Sequence, residues 1–100
     1  MRHPLPERRY SETFELKHGG QNSAFAVTVG RYPDGALGEV FITGAKSGSE
    51  MDAVTRDSAI LLSLALQHGV PLDTIRHALT RERTGAPSTI VGAVVDRIIT

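Results

Sequence analysis

Apolar residues alternate with polar ones over the first half of the chain and recur at three- and four-residue steps over the second, so strands precede helices. Phe14 and Leu16 face one way while Thr13, Glu15 and Lys17 face the other, which is the period of a half-buried strand. Gly19 and Gly20 break the pattern. It resumes over 24–31 with Phe25, Val27 and Val29 on one face, then breaks again at Tyr32-Pro33-Asp34-Gly35. There proline presets φ, aspartate bonds nearby backbone and glycine accepts the left-handed position that closes short hairpin loops. A third strand over 37–43 puts Val40 and Ile42 on one face and Phe41 on the other.

The clearest helix spans 49–69. Met51, Val54, Ser58, Leu61, Leu62, Ala65 and Leu66 recur at helical steps and predict its buried stripe. Ser49 can cap the first turn, Glu50 and Asp52 place negative charge against the positive end of the dipole, and Gly69 followed by Pro71 stops it. Between 59 and 66 only Ser63 is polar, so this segment needs cover on more than one side. A second helix starts at Pro71 with Leu72, Ile75, Ala78 and Leu79 inward. Pro87 or Ser88 opens a third, carrying Ile90, Val91, Val94, Val95 and Ile98; its β-branched residues also allow a strand, which Asp96-Arg97 argues against. The expected class is α+β, a three-stranded antiparallel meander followed by three helices packed on one face. Residues 1–12, with Pro4 and Pro6, read as an extended N-terminal arm, and 13–100 as one domain.

Composition narrows the function. Eleven basic and eleven acidic side chains cancel, so the chain lacks the excess positive charge that nucleic-acid binding exploits; only the arm, with Arg2, Arg8 and Arg9, is lopsided, and it reads as a solvated tail. The absence of cysteine excludes disulfides, thiolate metal sites and thiol chemistry. No apolar run reaches the ~18 residues of a membrane span, and residues 1–10 carry charge where a signal peptide needs an apolar stretch, so a soluble cytoplasmic protein is expected.

Candidate chemistry is sparse. His18, His68 and His77 do not match ligand spacings, and neither a metal nor a cofactor is expected. Residues 44–49, Gly-Ala-Lys-Ser-Gly-Ser, lead into a helix N-terminus, where free amides and Lys46 could hold an anion, although the Walker spacing is absent. The candidate ligand-binding residues are Lys46, Gly48, Ser49, Arg31 and Arg56. Asp57 beside Arg56 reads as a solvated charge pair, and Ser63 as a hydroxyl bonded back to its own helix. No residue is assigned a catalytic role.

Four stretches resemble the TSCPD domain: L-P-E-R-R beginning at Leu5, T-V-G-R-Y-P-D-G-A-L-G-E-V-F-I beginning at Thr28, K-S-G-S beginning at Lys46, and S-L-A-L-Q-H-G-V-P-L beginning at Ser63. The resemblance covers nearly the whole chain. That domain is found near the C-terminus of adenosylcobalamin-dependent (class II) ribonucleotide reductases and in small stand-alone proteins. It implies a fold and a setting, deoxyribonucleotide synthesis, but no catalytic residue, because the long reductases keep their cysteine-based radical chemistry in a separate barrel. A ribonucleoside-diphosphate reductase label would therefore rest on family alone. Two functions remain in view: an accessory module that binds a protein partner, either a reductase or a second copy, and a small-ligand or nucleotide-binding domain using the 44–49 loop. The strands over 24–31 and 37–43 carry little charge, so a second copy is expected to cover such an edge or the outer sheet face as a homodimer, the competing expectation being that the N-terminal arm or the last helix covers the edge within one chain.

Overall fold

The computed structural model describes residues 1–19, 23–44 and 48–99. Strands β1 (Tyr10–His18), β2 (Ser23–Arg31) and β3 (Leu37–Thr43) form an antiparallel sheet in the order β1-β2-β3. Helices α1 (Glu50–Gln67), α2 (Leu72–Ala78) and α3 (Ile90–Ile99) follow. The α+β class and the order of elements are those the hydrophobic pattern predicts.

Register follows the alternation. Phe14 stands opposite Val27 and Leu16 opposite Phe25, while Val29 pairs with Val40 and Val27 with Ile42, so every inward residue meets another across the ladder. The β2–β3 turn is closed as its residues dictate: Gly35, at φ +92°, donates its N–H to the Tyr32 carbonyl, and Asp34 Oδ1 accepts from the Ala36 N–H at 2.9 Å. Val27, Val29, Val40 and Ile42 are almost fully buried against Ala59 and Leu62 of α1 and Ile90, Val94 and Val95 of α3. Phe14 and Leu16 of β1 pack against this core and are only partly covered.

Helix α1 is capped by Ser49, whose Oγ accepts from the Asp52 N–H at 3.0 Å, but only part of the predicted stripe faces the core: Leu62 is buried and Leu66 packs against it, while the stripe's other edge is turned out. Thr55, Ala59, Leu62 and Gln67 are buried, whereas Met51, Val54 and Leu61 are 60%, 52% and 67% exposed. The rotation has a cause in β3. Ser63 Oγ accepts the Val40 N–H at 2.8 Å and has the carbonyls of Val40, at 3.1 Å, and Ala59, at 2.9 Å, within reach of its single proton. One turn on, Gln67 Nε2 donates to the Gly38 carbonyl at 2.9 Å. The serine does bond back to its own helix, and it also seals the strand. A helix apolar nearly all round can bury several stripes; the one chosen lets two polar side chains satisfy strand backbone that would otherwise be left unpaired.

This arrangement corrects one of the two expected edges. β2 is the central strand, so the edges are β3, as expected, where α1 side chains bond the backbone of Gly38 and Val40, and β1. Two boundaries also move. β1 begins at Tyr10, ahead of the predicted start at residue 13. α3 begins at Ile90 instead of Pro87 or Ser88, because Thr89 supplies the cap: its Oγ1 accepts from the Gly92 N–H at 3.1 Å and its carbonyl from the Ala93 N–H. Pro87 instead lies in a bridge to Arg81.

The N-terminal segment is tied down. His3 donates its N–H to the Gln67 carbonyl and stacks on Tyr32 with ring centroids 4.9 Å apart, and Arg2 Nε donates to Gln67 Oε1 at 2.6 Å. Arg9 reaches Glu39 at 2.6 Å, crossing Gly30, where a Cβ would collide with the Glu39 side chain. Two of the three arginines assigned to a solvated tail are therefore bound to the body of the domain.

Candidate functional site

The proposed ligand residues occupy three separate places. Gly48 and Ser49 lead into α1, and the Ser49 hydroxyl is already engaged by the Asp52 amide. Lys46 lies outside the described residues. Arg31 is at the far end of β2, about 16 Å of strand beyond Ala26, the residue paired with the end of β3. Its guanidinium donates to the Gly35 carbonyl at 2.8 Å and to Glu12 at 3.2 Å, which ties the β2–β3 turn to β1. Arg56 stands on α1 and pairs loosely with Asp52 at 3.6 Å, not with Asp57. The structure does not bring Arg31 to Ser49.

Arg56 does line a groove. Between α1 and the β3 edge lies a depression of about 420 Å³ whose apolar walls are Phe41, Ile60 and Leu64, with Arg56 and Arg2 also lining it. Phe41 and Ile60 are each 55% exposed, and Leu64 is 36% exposed. Glu39, the acid on its wall, is taken by Arg9, and Arg2 meets an amide oxygen, not a carboxylate. The groove thus offers apolar surface with basic groups around it, the composition of a contact patch more than of a reaction centre. The residues that shape it, Ser63 and Gln67, were not singled out as functional from sequence. Their four-residue spacing in an otherwise leucine-rich helix was the available signal.

A second recess, about 410 Å³, lies between the first turns of α1, the start of α3 and the β1–β2 end of the sheet. Met51 and Val54 line it, and Thr55 lies among its walls with a buried hydroxyl that has no partner among the described residues. The strongest charge cluster lies elsewhere. Asp96 on α3 receives a two-pronged contact from Arg81, 2.6 and 3.0 Å, and a third from Arg76 on α2 at 3.3 Å. The Arg81 hydrogen bond holds the Asp96 carboxyl below its ordinary range and raises the guanidinium in turn. Its role is to pin α2 and the following loop to α3. Among the described residues no cluster of three or more histidine, aspartate or glutamate side chains could hold a metal ion, and no helix is long and apolar enough to cross a membrane.

The family model that matches this chain is the TSCPD domain, over residues 1–100. The chain belongs to the TSCPD domain family. Curated relatives are 39% identical over 82 residues in Rhodopirellula baltica and in Bradyrhizobium diazoefficiens, and 36% identical over 83 residues in Streptantibioticus cattleyicolor. Each is named a vitamin B12-dependent ribonucleotide reductase. These alignments cover 82%, 82% and 83% of this chain but only 8%, 6% and 14% of the relatives, whose C-terminal regions carry the similarity. No solved structure matches the chain significantly. The TSCPD domain here thus corresponds to a small part of much longer enzymes.

Proposed function

We propose that this TSCPD domain is a non-catalytic accessory module that binds a protein partner in the setting of deoxyribonucleotide synthesis, the partner being a vitamin B12-dependent ribonucleotide reductase. The observation that carries the reading is the exposed apolar wall of the α1–β3 groove, Phe41, Ile60 and Leu64, on a domain whose relatives hold the same unit inside a reductase chain. The chain's lack of cysteine supports a role outside the radical chemistry.

The test is calorimetric titration of the purified chain into a vitamin B12-dependent reductase from the same organism. Micromolar binding is expected, weakened about tenfold or more by Ile60→Asp, a substitution at a site already exposed and so tolerated by the fold. No binding at 100 μM, or binding indifferent to Ile60→Asp and Phe41→Asp, would contradict it. Nucleotide at millimolar concentration should leave thermal stability unchanged. A rise in the melting temperature would instead favour the small-ligand reading, with Arg56 as its described basic group.

A further inference from the structure

We propose that β1 is the seat of a second copy of this chain, which pairs antiparallel with it and joins two sheets into one of six strands. Because Val40 gives its N–H to Ser63, it is turned away from β2, and Val29 opposite it is turned toward β1. Glu12, opposite Val29, therefore bonds inward, and by alternation the N–H and C=O groups of Ser11, Thr13, Glu15 and Lys17 point out of the sheet. No backbone hydrogen bond reaches them from outside the sheet among the described residues. α1 side chains bond the β3 edge at Gly38 and Val40, and no such bond reaches the β1 edge among the described residues.

The bare edge is complementary to itself. Glu15 and Lys17 lie on the outer face of β1, both exposed, and neither has an ion-pair partner among the described residues. A two-fold axis at Leu16 sets Glu15 opposite Lys17 of the second copy and Lys17 opposite its Glu15, giving two cross-strand pairs of opposite charge. On the inner face the same axis brings the two Leu16 side chains together, with Phe14 facing His18. These are the residues the monomer leaves only partly covered. The charges that would discourage pairing with an arbitrary strand select this partner and this register.

The inference concerns the chain alone and is independent of reductase binding. Sedimentation equilibrium at 10–100 μM, without reductase, should give about twice the 10.8 kDa of one chain. Lys17→Pro removes an outward N–H that the monomer does not use and that this register bonds to Glu15 of the second copy, and should return the mass to one chain. Glu15→Lys should raise the dissociation constant about tenfold, and adding Lys17→Glu should restore it to within about threefold, because the swapped pair is again complementary. A single-chain mass for the unaltered protein, or a dimer insensitive to both the proline and the charge substitutions, would overturn the proposal. Circular dichroism confirms that each variant is folded, and the charge variants carry the test if the proline variant is not.

Discussion

Asp96 joins three stretches of chain through one carboxylate, since Arg81 grips both of its oxygens while Arg76 approaches one. Its pKa is held below 3.8, chiefly by the Arg81 hydrogen bond, so the folded state favours the ionised form. The stabilisation is fully present above the unfolded value near 3.8 and is lost as pH falls through the lower folded value. Asp96→Asn should therefore melt earlier than the unaltered protein at pH 6, and the gap should narrow as pH falls below 3.8 toward the lowered folded value, where the carboxyl takes up its proton. Melting curves by circular dichroism at pH 6, 4 and 2.5 check this. A gap that persists unchanged at pH 2.5 would mean that the residue acts through packing instead of charge. The pair Arg76 and Asp96 was invisible in the sequence, where nothing distinguishes two ions on different helices from solvated ones.

Helix α1 is the element on which sequence and structure differ most usefully. Its cap, length and end were legible because Ser49, Asp52 and Gly69 act locally. Its rotation was not, because periodicity ranks stripes by hydrophobicity and here several are nearly equal. The tie is broken at long range, by β3 backbone groups that Ser63 and Gln67 reach. Leu62→Ala should cost about 2–5 kcal/mol through transfer energy and cavity, and Ser63→Ala about 1–3 kcal/mol by orphaning the Val40 amide. Leu61→Ala, at a residue 67% exposed, should change stability by less than about 0.5 kcal/mol. Urea denaturation separates the three. A cost at Leu61 comparable with that at Leu62 would show that the helix presents the other face to the core. The strands were read more closely because alternation and turn chemistry are both local, and the error in β1 amounts to its first residues, Tyr10 to Glu12, where alternation is lost.

At the scale of the whole molecule the fold was legible and the site only partly so. Order of elements, class and family follow from patterns repeated over many residues, whereas the candidate ligand residues were gathered from one loop and two distant arginines that topology sends apart. Among the described residues the domain presents a β3 edge bonded by α1 at Gly38 and Val40, an apolar groove beside it and a β1 edge with no backbone bond from outside the sheet, and the chain contains no cysteine to carry a radical or relay electrons. The domain is proposed to bind without catalysing. Deoxynucleotide formation by the purified chain, supplied with ribonucleotide, adenosylcobalamin and a dithiol reductant, is the direct test: no product above a protein-free control is expected, and sustained product formation proportional to protein concentration would contradict the proposal.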